Sequence, residues 1–268
     1  MLFSIINRTK EWWQPKAGNL LTAVYLAVFL FAINFQTTLS FIVPAIATIL
    51  GIGMFGYFFN DFTDLESDRK ANKSNMLDKL SNNYRIALLV GVILLAFGPW
   101  LVLPADAFSI YLLAAEFLLL LVYAVPPIRL KERGFIALIA DSIYAYAIPF
   151  CLAFHTFSLL SNKQENWLFI GVLFVWQFFV GLVNICIHQI EDYENDIHTA
   201  TSTWVTALGK FKARKYLLKL FWPLMLLGFS FFLFVISTSV WQWYFSFPIL
   251  FILLQFGFVF SKKPLGAF

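Results

Sequence analysis

The chain has 268 residues, 60% of them hydrophobic and only 13% charged, with 33 Phe and a mean hydropathy of +0.77. Soluble domains run about half apolar and about a quarter charged, so this composition excludes a water-soluble globular domain and requires lipid as solvent. The formal charge of +4 is small and dispersed, which argues against a nucleic-acid partner. Cys151 and Cys186 stand far apart with no metal-ligand spacing.

In chain order, residues 1–8 lack the sequence of basic start, apolar stretch and small-residue cleavage site, so no cleavable signal peptide is expected. Apolar runs near 19–35, 38–59, 86–103, 107–125, 135–157, 166–188, 217–238 and 242–260 follow. Each approaches the roughly 20 residues needed to cross the hydrocarbon core. The runs are continuous, whereas barrel strands alternate in and out. The reading is all-α: a polytopic transmembrane helical bundle of about eight helices, forming a single domain over 1–268. Pro44, Pro149, Pro223 and Pro248 fall inside these spans, where membranes tolerate them.

Eight spans put the N-terminus, the loops after the second, fourth and sixth spans, and the C-terminus on one side. All of the 19 Lys and Arg except Lys163 then share that side. The positive-inside rule makes it cytoplasmic, in a bacterial-type plasma (inner) membrane. An error of one span would scramble this partition.

Eight of the 15 acidic residues fall in two short clusters. The first is Asp61, Asp64, Glu66 and Asp68 after the second span, preceded by Asn60; the second is Glu191, Asp192, Glu194 and Asp196 after the sixth, preceded by Gln189. Asp61, Asp64 and Asp68 are spaced i, i+3, i+7, and Asp192 and Asp196 i, i+4, so each set shares a helix face. Stacked carboxylates repel, and a divalent cation relieves the repulsion. Magnesium typically takes one or two carboxylates plus phosphate oxygens and water. Two clusters facing each other with metals between would hold a diphosphate and neutralise it as a leaving group.

The first cluster fits NDxxDxxxD at every defined position, and the second fits DxxxD preceded by Gln. Between them, Tyr123-Ala124-Val125-Pro126-Pro127-Ile128-Arg129-Leu130-Lys131 looks like a Tyr-x-x-Pro-x-Arg-x-Lys stretch. In order and spacing these motifs resemble the UbiA superfamily of intramembrane prenyltransferases. The resemblance implies helices around a central cavity, capped by cytoplasmic loops that bear both motifs. It implies Mg2+ held by Asp61, Asp64, Asp68, Asp192 and Asp196 as the catalytic set, and a prenyl diphosphate donor whose tail lies in an apolar tunnel reachable from membrane lipid. Ionisation of the donor would give an allylic cation, captured by a small lipophilic or aromatic acceptor. The sequence departs from the family pattern at Ala200, where a glycine is usual, and at Lys73-Ser74-Asn75, where Arg-Pro pieces are common.

Asn60, Lys73, Tyr123, Arg129, Lys131 and Gln189 are candidates for binding the diphosphate: Arg offers a planar fork, Lys a point charge. Asp141 in the fifth span and Asn184 in the sixth are candidates for an acceptor pocket, Asp141 because ionisable groups at membrane depth are costly and often functional, Asn184 because it lies one turn before His188. Glu116, mid-span, leaves three readings open (paired, protonated or in the acceptor pocket), while His188 and His198 are not expected to act as bases. A cation transporter or channel is the competing reading. Transport sites usually sit near the bilayer midplane on broken helices, whereas both clusters sit at the boundary. The pattern of phospho-alcohol transferases is absent.

Overall fold

The computed structural model describes residues 18–70, 75–161, 167–199 and 201–239. Within them the chain folds as α1 (Gly18–Phe31), α2 (Phe35–Lys70), α3 (Asn82–Phe97), α4 (Ala107–Ala124), α5 (Phe135–Ser158) and α6 (Trp167–Glu191). Two short helices, α7 (Tyr193–His198) and α8 (Trp204–Leu208), lead into α9, which runs through Lys210–Tyr216, Leu217–Phe221 and Trp222–Ser239. Six of these helices are long and apolar enough to cross a membrane, and the protein is an integral membrane protein built as a helical bundle. Seven predicted spans match α1–α6 and α9. The eighth, 242–260, lies outside the described residues, as do Lys73 and Ala200.

The boundaries move for physical reasons. α1 stops at Phe31 because Ala32 turns into the left-handed region at φ 52°. Asn34 then starts α2, its Oδ1 accepting from the Thr37 N–H at 2.8 Å. α2 continues eleven residues past the apolar run that announced it, carrying the whole first acidic cluster on regular helix. At 1.5 Å per residue its 36 residues measure about 54 Å, well beyond a hydrocarbon core of about 30 Å. The acidic motif therefore stands outside the apolar layer on a continuation of the spanning rod.

Close helix crossings use small residues, as expected where lipid supplies no hydrophobic drive between helices. A Cβ on Gly51 of α2 would lie 2.3 Å from the Ala96 backbone nitrogen of α3, and one on Gly181 of α6 would lie 2.8 Å from Ser142 Cα of α5. α5 is the enclosed centre, with 61% of its spanning window buried against 11% for α3, which leaves α3 mostly to lipid. An aromatic cluster ties α5, α6 and α9: Trp176 stacks on Phe232 at 4.9 Å and meets Phe150 edge-on at 6.1 Å. Midway along α5 a π-helical turn at Ile143–Ala147 interrupts the α-helix; such turns recur at functional sites.

At the end of the bundle remote from the acidic motifs, Asp106 caps α4 by accepting from the Ser109 N–H at 2.9 Å, and its Oδ1 also lies 2.9 Å from Nε2 of the buried His155 on α5. Burial pushes the Asp106 carboxyl up, but the Ser109 N–H and the His155 imidazole outweigh it, holding the group below the usual carboxylate range. A lowered folded pKa means the contribution is present above the unfolded carboxylate pKa and lost as pH falls through the folded value. Asp106→Ala is expected to cost about 1 kcal/mol at neutral pH. Thermal unfolding in detergent at pH 7 and pH 3 checks it: the gap between variant and wild type should narrow at the lower pH.

Candidate active site

Five helices, α1, α2, α4, α5 and α6, enclose a cavity of about 460 Å³. On α2 the lining residues are Ile49, Ile52, Gly53, Gly56, Tyr57 and Asn60, a stripe at i, i+3, i+4 spacing that a single helix face provides. Glu116 and Tyr123 of α4, Asp141 and Tyr144 of α5, and Asn184 and His188 of α6 line the other sides. Among the described residues none of the five aspartates lines the cavity, but it reaches residues next to both acidic clusters: Asn60 lies one turn before Asp64, and His188 one turn before Asp192, whose Oδ2 lies 3.5 Å from His188 Nε2.

The turn after α4 folds tightly onto α2. Arg133 holds it, donating from Nε to the Ile128 carbonyl at 2.6 Å and from Nη2 to the Pro127 carbonyl at 3.2 Å. Arg129 sits there in the left-handed region at φ 41°, a conformation that costs about 1 kcal/mol or more in a non-glycine residue and clusters at functional sites. The result is that Arg129 Nη2 donates to Asp64 Oδ1 at 2.8 Å and Lys131 Nζ to Asp64 Oδ2 at 2.5 Å. Lys131 also reaches Asn60 Oδ1 at 3.4 Å. Residues 65 and 67 positions apart in the chain thus meet, joining the central motif to the first acidic cluster. The same motif's Tyr123 donates from its hydroxyl to Asp141 Oδ2 at 3.2 Å, and Tyr144 meets the Tyr123 ring edge-on at 5.1 Å.

Asn75, which the sequence reading passed over, clamps the first cluster. Its Nδ2 donates to the Asp61 carbonyl and to Asp68 Oδ2, both at 2.8 Å, and its Oδ1 accepts from the Leu77 N–H. Leu77 is anchored in turn among Phe58 and Leu65. An asparagine in a polar loop gives no sequence signal for this. Tyr57, Tyr144 and Tyr146 also reach the cavity wall. Tyr57 could have been found as the residue one turn before Asp61. Tyr146 could not, because the π-helical turn that presents it leaves no mark in the periodicity.

Among the described residues no three His, Cys, Asp or Glu side chains form a metal-binding group, so the five aspartates are not a closed protein cage. The donor set still suits magnesium: hard carboxylate oxygens, few per ion, with phosphate and water completing the shell. Gln189 adds an observation in the same sense, since its Oε1 is buried without a hydrogen-bond partner among the described residues, one turn before Asp192. A hydrated cation offers the donors that this oxygen lacks.

The fold has relatives among solved structures. A UbiA homolog from Archaeoglobus fulgidus bound to DMAPP and Mg2+ is 16% identical with a TM-score of 0.61, over 94% of this chain and 86% of that one. The same homolog bound to GPP and Mg2+ matches equally, over 94% and 87%. A structure from work on digeranylgeranylglyceryl phosphate synthase in membranes is 18% identical with a TM-score of 0.59, over 96% and 85%. Among curated proteins none matches. The model of the UbiA prenyltransferase family matches residues 20–264, nearly the whole chain, and the protein belongs to that family.

Proposed function

We propose that this protein moves a prenyl group from a prenyl diphosphate to a small lipophilic or aromatic acceptor, with magnesium, at the cytoplasmic face of a bacterial-type plasma membrane. The observation that carries the reading is one cavity lined by residues next to both acidic clusters, Asn60 and His188, with Arg129 and Lys131 drawn onto Asp64 beside it.

Asp61, Asp64, Asp68, Asp192 and Asp196 are the residues that would hold magnesium, which supplies charge neutralisation for the diphosphate as it leaves. Arg129 and Lys131 turn from Asp64 towards phosphate oxygens, the first as a fork and the second as a point charge. Asn60, Lys73 and Gln189 complete the grip on the diphosphate, and Tyr123 joins it by turning its hydroxyl from Asp141 to a phosphate oxygen. The tail enters the cavity, where aromatic faces stabilise positive charge as the C1–O bond ionises and the acceptor captures the allylic cation.

The test is transfer by the purified protein from radiolabelled geranylgeranyl diphosphate to a panel of acceptors. Chelation with EDTA is expected to lower product formation at least about 100-fold, and added magnesium to restore it. Donor retention on the immobilised protein is measured in parallel. If no donor of any chain length is retained in a magnesium-dependent way, the reading falls and cation-flux measurements take its place.

A further inference from the structure

The wall of the cavity is more acidic than a hydrocarbon tail needs. Asp141 lies two turns into α5, and Glu116, 1% exposed, lies near the middle of α4. Both line the cavity, together with Tyr123, Tyr144, Tyr146 and Asn184. Among the described residues no Lys or Arg lines it, and the nearby cations Arg129 and Lys131 are held on Asp64 at the rim. Carboxyl groups at membrane depth are costly, and those that occur face interiors with work for them. The Tyr123 hydroxyl donates to Asp141, so Asp141 stands as a hydrogen-bond acceptor with further lone pairs on its carboxylate. Glu116 is seven residues before Tyr123 on α4, about 10 Å deeper along the helix axis.

We infer that this polar end of the cavity is an acceptor subsite that selects an uncharged, hydroxyl-bearing acceptor and rejects anionic ones, with Asp141 receiving the hydroxyl proton. The inference rests on the prenyl-transfer reading for its chemistry, while its preference for neutral ligands is a property of the cavity itself. In the step, a bond forms between C1 of the donor and the acceptor's oxygen, or the ring carbon that oxygen activates. The C1–O bond to the diphosphate breaks, its electron pair leaves with the diphosphate, and the hydroxyl proton passes to the Asp141 carboxylate; where a ring carbon attacks, that carbon's own proton then moves to the oxygen and restores the aromatic ring. An acceptor carrying its own carboxylate or phosphate places a second negative charge in the same poorly screened space. For like charges roughly 6 Å apart at an effective dielectric near 20, this amounts to about 100-fold in affinity.

The experiment compares methyl 4-hydroxybenzoate with 4-hydroxybenzoate, a neutral and an anionic form of one phenol. Binding to the full chain in nanodiscs is measured by equilibrium dialysis at pH 7.5, separately from donor retention. Wild type is expected to bind the ester about 100-fold more tightly, and the Glu116→Gln, Asp141→Asn double variant to close most of that gap. A preference that comes only from partition into lipid would persist unchanged in the double variant and overturns the inference, as does equal or tighter binding of the acid by wild type. In transfer assays, Asp141→Asn is expected to lower kcat at least about 100-fold with donor retention unchanged, and to remove the acidic limb of the pH–rate profile. Wild-type kcat with that limb intact overturns the role of Asp141. Loss of donor binding in wild type, by contrast, sinks the prenyl-transfer reading and leaves the ligand preference to be judged by dialysis alone.

Discussion

Asp64→Asn is expected to reduce prenyl transfer by about 10²–10³-fold while leaving the fold intact. Both carboxylate oxygens of Asp64 are engaged, Oδ1 with Arg129 and Oδ2 with Lys131. Asparagine keeps the size and one acceptor oxygen but removes the charge that holds the two cations on the rim and, under the proposed function, the charge that draws magnesium. Two effects follow from one substitution. Transfer falls, and magnesium-dependent donor retention weakens with it. Because the turn over 125–131 remains fastened by the bonds of Arg133 to Ile128 and Pro127, the thermal midpoint should move by only a few degrees. Activity within threefold of wild type would show that Asp64 serves only to anchor the turn.

The largest effect on stability is expected at Gly51. A methyl group there would lie 2.3 Å from Ala96 N and 2.5 Å from Ala96 Cα, both backbone atoms of α3, so no side chain can move aside and the two helices must separate. Gly51→Ala should cost about 3 kcal/mol, at the upper end for overpacking. Gly91, also on α3, is the natural control, since a Cβ there meets nothing within 4 Å. At that site alanine gains helix propensity of about 0.5–1 kcal/mol. Thermal unfolding in one detergent should therefore move the two glycine-to-alanine variants in opposite directions. Equal midpoints would mean that α2 and α3 are not in the contact described.

Much of the bundle was legible because a membrane span declares itself by length and hydropathy, and α1–α6 and α9 all arise from such runs. Where the boundaries shifted, hydropathy was the wrong signal. The stretch from Asn60 to Lys70 looks like a solvated loop by polarity, yet its i, i+3, i+7 aspartates had already implied the helix that α2 continues. The gathering of Asn60, Asp64, Arg129 and Lys131 was readable as a set of motifs, but not as contacts, because their meeting depends on a turn held by Arg133. Asp141 stands out for its cost at depth, whereas its contact with Tyr123, whose motif points towards the diphosphate, leaves no mark in the sequence. The Asn75 clamp, the Gly51 crossing and the π-helical turn that presents Tyr146 are products of tertiary packing, with no local pattern to announce them.

The unbroken course of α2 has one more consequence. The helix that carries the acidic motif is also the wall of the cavity, from Asn60 down to Ile49, a distance of about 17 Å at 1.5 Å per residue. Under the proposed function, a tail fastened by its head at the acidic end would be measured along a rigid rule whose marks fall one turn apart. Gly53 is a blank mark on that rule, and a single larger side chain there would shorten the scale without touching the end from which it is read, whereas Gly56 already faces Leu120, whose Cδ2 would lie 3.1 Å from an added Cβ.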